Sequence, residues 1–461
     1  MNIVWLRKDL RLTDHLPFLM ASTRGETLPL YIIEPSLWKN SPLTARHFSF
    51  VKESLRDLSD HLQEIGGKLY VAIGEAEEIF ELLLDAYGPF RVYVHKVQDP
   101  LLDPISNWFI EKDIDYIAVS PYPESILHAA SKKAWLSGFE RLEEATLEKI
   151  NLPQEIPAWL LRSTAKYSSY SIKGEHIRFG QAGGETNALE TLDSFLSDRI
   201  SKYKEAASNP LKASLYSSGL SAYLTWGNIS MKTVMLRTLA AFSQSSESDL
   251  PELNSFIDKL YKRFRLVDKA EGMEAAGDPF SERTVDETAL GQVFSGESGI
   301  PIVDASILCL IKTGWLPESL RILLAGFLCN TLLLRPESVR DRLAGLMLDF
   351  EPVLFTSLFD GCVASPGKVK GKIFDPVKAG KKIDPDGQFI SRHLPQLGKL
   401  SSEYIHEPWL YPGFYTLDYV VPIIDTKKVA RKNKAMFVNA EDSYSSSANK
   451  QHINEQLTLD L

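Results

Sequence analysis

The sequence predicts an α/β N-terminal domain with a parallel sheet, followed by an all-α C-terminal domain. Over roughly the first 120 residues, strand-like segments alternate with amphipathic helical segments, which is typical of βαβ units. From Leu192 onward, strand patterns end and apolar residues recur at helical spacing. The length of 461 residues also exceeds the usual size of one domain and favours two or three.

The α/β domain is predicted to span residues 1–125, and its elements follow from local patterns. Gly66 and Gly88 directly follow two amphipathic segments, as glycine does where helices end. No GxGxxG segment follows the first strand, so no dinucleotide-binding turn of that type is predicted. The predicted strands are Asn2–Leu6, Leu28–Ile33, Leu69–Ile73, Arg91–His95 and Tyr116–Val119, and the predicted helices are Thr44–Ile65, Ala76–Tyr87 and one near Ile105–Glu111.

The rest of the chain divides into three further segments. Residues 126–198 contain Pro153, Pro157 and a Ser/Tyr-rich stretch, so they are predicted to form an interdomain connection with one or two helices. Residues 199–435 are predicted to form the helical domain, and the polar residues 436–461 a flexible tail. The clearest helical patterns are Leu253–Val267, Val303–Ile311 and Pro317–Leu334.

Composition excludes several classes of protein. Apolar residues at 44% and charged residues at 24% are ordinary for a globular chain and argue against disordered, collagen-like and coiled-coil proteins. The run Ile322–Leu334 is shorter than the roughly 20 apolar residues of a membrane span. Charged residues near the N-terminus argue against a signal peptide. With only three scattered cysteines, the sequence predicts a cytoplasmic protein without a disulfide framework.

Charge is unevenly distributed along the chain. Residues 1–150 carry 16 Lys+Arg and 23 Asp+Glu, a balance of −7, whereas residues 368–434 carry 13 and 7, a balance of +6. The basic segment would suit a polyanionic partner, although ordinary variation explains it equally well. The nine histidines form no metal-ligand pair, so no metal site is predicted.

Five blocks of sequence, in the same order along the chain, resemble the photolyase/cryptochrome flavoproteins. The resemblance extends over nearly the whole chain and implies a Rossmann-like first domain and a helical FAD-binding domain. The blocks are Val4–Asp14; Tyr203 with Ser217–Leu224; Gly299–Ala305 with Thr313–Trp315; Ile373–Pro376 with Asp384–Ile390 and Leu394–Pro395; and His406–Trp409 with Pro422–Asp425.

The resemblance implies which residues would contact FAD. Ser217, Ser218 and Ser221 stand at the start of a helical pattern, where hydroxyls and free backbone N–H groups can receive a diphosphate. An ordinary helix start with spare serines is the alternative. The implied cofactor contacts are Tyr203, Ser217, Ser218, Leu220, Ser221, Trp315, Arg321, Asp349 and Glu351.

Arg321 and Asp349 match a family ion pair that brackets the isoalloxazine ring, and Glu351 keeps the charge of a nearby family aspartate. A guanidinium and a carboxylate in these places can orient a reduced flavin through hydrogen bonds. A structural salt bridge between two helices is the alternative. Trp315 would either pack near the adenine or fill the core.

The segment Asp258–Arg265 departs from the family at the position that stacks on a pyrimidine dimer. Lys262 replaces the usual tryptophan and Lys259 the usual glutamate, so this helix lacks a flat aromatic surface for the base. Its cations suit either phosphate contact or a solvated face. Candidate DNA contacts are Lys262, Arg263, Lys378, Lys381, Lys382 and Arg392, with Lys368, Lys370 and Lys372 as further candidates.

Other family features are altered. Val293, Pro336 and Phe359 occupy the positions of the tryptophans that usually relay electrons to the flavin. Three cysteines are too few for the four ligands of an iron–sulfur cluster, so none is predicted. Members of this family often bind an antenna chromophore, folate or deazaflavin. Here His95-Lys96-Val97 occupies the position where an acidic residue often anchors that chromophore.

The leading hypothesis is therefore a divergent, monomeric FAD flavoprotein of the photolyase type, acting on damaged DNA. In the family mechanism, light transfers an electron from reduced flavin to a flipped-out pyrimidine dimer, which then splits. Two alternatives stay open. One is a light-signalling cryptochrome without repair activity, and the other is a degenerate DNA- or protein-binding module that has lost its flavin photochemistry.

Overall fold

The computed structural model describes residues 1–96, 105–207, 209–268, 283–363, 373 and 375–438. The chain forms two compact units. Unit 1 comprises Met1–Lys204, Tyr216–Met273 and Leu348–Leu354, and unit 2 comprises Glu205–Leu215, Glu274–Met347 and Phe355–Leu461. A parallel sheet lies in the N-terminal region and the C-terminal region is helical, which confirms the predicted fold class. The predicted domain limits at residues 125, 198 and 435 stay predictions, and residues 439–461 of the predicted tail lie outside the described residues.

Unit 1 is built on a five-stranded sheet in which each strand pair is parallel. The strand order is β3-β2-β1-β4-β5, so the direction of winding reverses between β1 and β4. Ligands of open parallel sheets bind where such a reversal opens a crevice at the carboxyl ends of the strands. The strands are β1 (Asn2–Leu6), β2 (Thr27–Ile33), β3 (Tyr70–Ile73), β4 (Arg91–His95) and β5 (Asp115–Val119), each within one residue of its predicted start.

The central strands are buried along their whole length, as expected when helices cover both faces of a parallel sheet. Trp5 of β1 packs edge-on against Phe80, with ring centroids 5.1 Å apart, and against Phe109 at 6.3 Å. The helices from residue 16 to 268 are α1 (Leu16–Ser22), α2 (Pro35–Asn40), α3 (Ala45–Glu64), α4 (Ala76–Tyr87), α5 (Ser106–Glu111), α6 (Glu124–Leu127), α7 (Lys132–Phe139), α8 (Ala158–Lys166), α9 (Glu185–Ser197), α10 (Tyr203–Ala206), α11 (Pro210–Tyr216), α12 (Ser221–Trp226), α13 (Met231–Gln244) and α14 (Leu250–Asp268).

The segment 126–198 is more helical than predicted. It contains α7, α8 and α9 instead of one or two helices. Pro157, which had indicated a break, directly precedes α8 as its N-cap residue. A proline that ends an extended stretch can equally mark the start of a helix, because the first N–H groups of a helix have no intrahelical partner.

Helices are the main regular elements among the described residues of unit 2, and one of them contains an irregular segment. The predicted helix Pro317–Leu334 ends as an α-helix at Gly326 and continues as a π-helix over Phe327–Thr331. The helices are α15 (Glu287–Phe294), α16 (Pro301–Thr313), α17 (Glu318–Gly326), α18 (Pro336–Leu346), α19 (Pro352–Cys362), α20 (Pro376–Ile383), α21 (Gln388–His393) and α22 (residues 426–438).

Side chains from distant segments explain why the π-helix is stable. The amide of Asn433 donates to the carbonyls of Asn330 and Thr331, at 2.9 and 2.8 Å. Nε of Arg283 donates to the carbonyl of Cys329 at 3.2 Å. These donors satisfy carbonyl groups that the wider turn leaves without regular helical partners. No helix in the described ranges is long and apolar enough to cross a membrane.

Candidate functional site

The opening sequence motif forms a loop that is locked onto α12 and α13 within unit 1. Nη1 of Arg11 donates to the carbonyl of Gly227 at 3.1 Å, and Nδ2 of Asn228 donates to the carbonyl of Leu10 at 3.0 Å. Gly227 has a φ of 69°, and a Cβ atom there would lie 2.1 Å from the carbonyl oxygen of Lys8. The motif therefore fixes the position of the segment around Gly227.

A buried cluster of Asp9, His15 and His95 lies at the carboxyl ends of β1 and β4. Oδ2 of Asp9 is 2.8 Å from Nδ1 of His95 and 3.0 Å from Nε2 of His15. Burial, together with the adjacent His15, lowers the pKa of His95 to about 3. Burial alone would raise the pKa of Asp9, but the two histidines hold it well below its usual value.

The outer partners of these histidines favour a triad centred on the Asp9 carboxylate over a metal centre. A metal-bound imidazole usually donates its other N–H to an acceptor. Here Nδ1 of His15 instead accepts from the backbone N–H of Phe18 at 3.3 Å, which places the proton on Nε2, facing Asp9. Nε2 of His95 is buried and has no hydrogen-bond partner in the described part of the chain.

The serine segment predicted to hold a diphosphate lies at the start of α12, a helix of six residues. Oγ of Ser218 accepts from the N–H of Leu220 at 3.4 Å, whereas Oγ of Ser221 is buried without a partner among the described residues. The guanidinium of Arg199 donates to the carbonyls of Ser217 and Ser218. Sequence reasoning missed Arg199, because it lies outside every motif and 18 residues before Ser217.

Unit 1 also brings Arg263, Thr225 and Asp349 together. Nη2 of Arg263 donates to Oγ1 of Thr225 at 3.3 Å, and that hydroxyl lies 3.5 Å from the carbonyl oxygen of Asp349. Asp349 is buried, with 8% of its surface exposed. Arg263 and Glu351 line a cavity of about 330 Å³ that also reaches His95. Two predicted cofactor residues, Asp349 and Glu351, thus lie in unit 1 with the serine segment.

The other predicted cofactor contacts have structural partners of their own. Tyr203 packs edge-on against Phe195 and Phe256, with centroids 5.5 and 5.7 Å apart. In unit 2, Nε of Arg321 donates to the carbonyl of Leu316 at 2.7 Å, and Trp315 is half-buried after α16. Leu220 is fully buried. The Arg321–Asp349 pair stays a prediction.

The predicted DNA-contact residues of unit 2 lie on short helices. Lys378, Lys381 and Lys382 are exposed on α20 at helical spacing, and Arg392 is exposed on α21. Nζ of Lys381 lies 2.6 Å from Glu407, which also pairs with Lys427 at 3.0 Å. In unit 1, Lys262 is exposed on α14. The further candidates Lys368, Lys370 and Lys372 lie outside the described residues.

Acidic residues of the other blocks are held by hydrogen bonds within unit 2. The side chain of Asp375 accepts from the N–H of Val377 at 3.0 Å, and Asp384 accepts from the N–H groups of Phe389 and Ile390 at 3.1 and 3.0 Å. Asp304 accepts from the hydroxyl of Tyr419 at 2.6 Å. Asp375 and Asp384 therefore stabilise the starts of α20 and α21, and Asp304 fixes the ring of Tyr419.

Comparison with known proteins identifies the family. The model of the DNA photolyase domain matches residues 2–101, and the model of the FAD binding domain of DNA photolyase matches residues 251–439. The chain belongs to the photolyase/cryptochrome family. A deoxyribodipyrimidine photo-lyase of Agrobacterium fabrum is 28% identical over 94% of this chain and 97% of its own length.

Cryptochromes are similar as well. Cryptochrome-2 of Gallus gallus is 24% identical over 93% of this chain and 82% of its own length. The crystal structure of a Synechocystis cryptochrome covers 94% of this chain and 98% of its own, with a TM-score of 0.79 and 20% identity. At that identity the structural likeness supports the photolyase/cryptochrome fold alone, so the chemistry depends on the residues described above.

Proposed function

We propose that this photolyase/cryptochrome chain binds FAD and uses light to split pyrimidine dimers in DNA. The observation that carries the proposal is the match to the FAD binding domain of DNA photolyase over residues 251–439. The buried hydroxyl of Ser221 fits it, because this group has no partner among the residues that the structure describes, and a buried donor without an acceptor costs about 1–3 kcal/mol that a ligand oxygen would recover.

In this proposal the serine segment and Arg199 receive the diphosphate. The hydroxyl of Ser221 would donate a hydrogen bond to the diphosphate. Arg199 would supply a cation beside the carbonyls of Ser217 and Ser218. Gly219 stands where the family usually has an arginine, so Arg199 would replace that missing charge. Tyr203, Leu220 and Trp315 would pack against the apolar parts of the cofactor.

Charged residues would orient the redox-active ring. Asp349 and Arg321 would bracket it, with Glu351 nearby, and a fixed carboxylate and guanidinium favour one protonation state at the atoms they contact. When bound and reduced, FAD would supply the electron that light transfers to the dimer. The proposal includes no iron–sulfur cluster, because three cysteines cannot supply its four ligands. It does not depend on an antenna chromophore, whose usual acidic anchor is replaced by His95-Lys96-Val97.

DNA would bind through phosphate contacts. The lysines of α20 and Arg392 of α21 form exposed cationic positions in unit 2. Lys262 and Arg263 would add cations from α14, although Arg263 already contacts Thr225. Since Lys262 cannot stack on a base, most of the affinity would be electrostatic and would depend on salt. We further propose a cytoplasmic monomer.

The absorption spectrum of the purified chain is the first test. We expect a yellow protein with about one FAD per chain, and loss of dimers from irradiated DNA in blue light but not in the dark. Ser221→Ala and Arg199→Gln should each weaken FAD binding about tenfold, equivalent to about 1.4 kcal/mol. Ser214→Ala, at an exposed serine of α11, is the matched control. A chain that stays colourless after incubation with FAD would disprove the proposal.

A second function is favoured by specific positions. Lys262 is exposed and lacks an aromatic face, while Val293 and Phe359, at two positions of the usual tryptophan relay, are buried. These substitutions suit a family member that binds DNA or protein without light chemistry. Salt-dependent DNA binding by a colourless chain would support this function. A flavin radical that forms in light without dimer splitting would instead indicate a light-signalling cryptochrome.

A further inference from the structure

Two stacked tryptophans lie beside the unit 1 part of the proposed flavin site. Trp226 ends α12, and Trp38 belongs to α2. Their ring centroids are 6.3 Å apart and their planes differ by only 6°. Both side chains are buried, with 3% and 6% of their surfaces exposed. Nothing in the sequence motifs indicated this pair, because the two residues are 188 positions apart.

Trp226 is tied to the backbone that carries the predicted flavin ligand. Its Nε1–H donates to the carbonyl of Leu348 at 2.9 Å, and Leu348 directly precedes Asp349. The neighbouring Thr225 reaches the carbonyl of Asp349 itself. Ser221, proposed to contact the diphosphate, begins the same helix that Trp226 ends. One end of the tryptophan pair is therefore anchored at the proposed cofactor site.

The aromatic series continues from Trp38 toward solvent. Trp38 packs edge-on against Phe48 at 5.0 Å, and Phe48 packs edge-on against Tyr170 at 5.6 Å. Tyr170 is only partly buried, so its phenol can exchange protons with water. Phe48 is too hard to oxidise to hold a charge, but it fills the space between Trp38 and Tyr170 with packed side-chain atoms.

We propose that Trp226, Trp38 and Tyr170 form an electron route from the protein surface to the bound flavin. This route rests on the proposed function, because it needs FAD at the site. With oxidised FAD bound, light would draw one electron from Trp226, and Trp38 would then return an electron to Trp226. Tyr170 reduces Trp38 and releases its phenolic proton to water. A soluble thiol, through its thiolate, returns the electron to Tyr170, which regains a proton from water; the resulting thiyl radicals pair as disulfide.

Local charge gives this route a direction. Nζ of Lys8 lies 5.7 Å from the ring centroid of Trp226. A cation at that distance attracts the neutral ring but repels a positive charge on it. Lys8 therefore destabilises a positive charge on Trp226 and favours its transfer from that ring to Trp38. Such separation would slow the return of the electron.

Photoreduction of the bound flavin in blue light with excess thiol tests the route. We expect Trp226→Phe and Trp38→Phe to photoreduce at least about tenfold more slowly, equivalent to about 1.4 kcal/mol of barrier. Tyr170→Phe should still form an oxidised tryptophan in transient absorption but should lose the long-lived tyrosyl radical. Trp226→Phe should also lengthen the fluorescence lifetime of the bound flavin. Trp108→Phe is the matched control, because Trp108 packs against Phe80 and Phe109, apart from this series.

Further measurements separate the route from the function it serves. FAD content and urea unfolding of each variant show whether the site is intact. After chemical reduction of the flavin, Trp38→Phe should split dimers at the rate of the unchanged chain. If Trp226→Phe and Trp38→Phe both photoreduce at the normal rate with full FAD, the route is wrong and the proposed function stands. If the unchanged chain binds no FAD, both are wrong.

Discussion

At the scale of single residues, Gly227 gives a sharp stability prediction. The backbone at Gly227 has a left-handed φ of 69°, which residues with a side chain rarely adopt, and a Cβ atom there would lie 2.1 Å from the carbonyl oxygen of Lys8. Gly227→Ala should therefore lower the free energy of unfolding by about 3 kcal/mol or more. Urea unfolding followed by circular dichroism measures the change.

Gly291 provides the control for this substitution. It lies within α15, and no atom is within 4 Å of a Cβ built at this position. Gly291→Ala should raise the free energy of unfolding by about 0.5–1 kcal/mol, because alanine favours the helix over glycine. A loss of stability in Gly227→Ala no greater than 1 kcal/mol would contradict the close packing of the Lys8 loop.

The Asp9 triad predicts how stability depends on pH. Burial lowers the pKa of His95 to about 3 and also lowers the pKa of His15. The unfolded chain, with ordinary histidines near 6.5, therefore binds more protons than the folded chain between those values. Stability should fall as the pH drops below about 6.5, by up to about 1.4 kcal/mol per pH unit for each histidine. Urea unfolding at pH 7.5, 6.5 and 5.5 tests this.

Substitution at one histidine separates this effect from general acid sensitivity. His95→Asn keeps a donor for Asp9 but cannot be protonated, so the decline of stability with acid should become shallower. His128→Asn is the control, because the side chain of His128 is 78% exposed. If the pH dependence is the same in His95→Asn as in the unchanged chain, His95 is not the group responsible.

At the scale of elements, α20 predicts the salt dependence of DNA binding. Each phosphate contact that is lost should reduce the slope of log affinity against log salt by about 0.9. Lys378→Gln and Lys382→Gln should each produce this change. Lys381→Gln should produce a smaller one, because its ammonium already pairs with Glu407. Fluorescence anisotropy with duplex DNA between 50 and roughly 200 mM salt measures the slopes.

An exposed lysine elsewhere controls for net charge. Lys149 lies in unit 1 and is exposed, so Lys149→Gln removes the same charge without touching α20. Its slope should equal that of the unchanged chain. Equal slopes for Lys149→Gln and Lys378→Gln would mean that α20 makes no specific phosphate contact.

Local patterns were enough to predict regular elements but not irregular ones. The strands β1 and β4 start and end at the residues that the sequence predicted from apolar runs between turn residues. The π-helix after α17 could not be predicted, because it depends on donors from Arg283 and Asn433, which are distant in sequence. Proline was ambiguous for the same reason: only tertiary context shows whether Pro157 ends a segment or begins α8.

At the scale of the whole molecule, the family could be predicted from the order of its sequence blocks, and the comparisons confirm it. The detailed site could not. The resemblance assigned Ser221, Asp349 and Glu351 to one cofactor, and all three lie in unit 1, but the contact of Thr225 with the carbonyl of Asp349 appears only in the folded chain. Arg199 and the Trp38–Trp226 pair belong to no motif, so no sequence pattern pointed to them.

The locked loop after β1 has a consequence for how the protein is made. Arg11 and Leu10 bind Gly227 and Asn228, which are more than 200 residues later in the chain. At a synthesis rate of about 5–20 residues per second, the first loop waits roughly 10–45 seconds for these partners to leave the ribosome. Meanwhile Arg11, which is buried in the folded chain, stays accessible to solvent and to chaperones. The sheet of unit 1 can therefore form early, but its carboxyl-end crevice is completed only when the middle of the chain arrives.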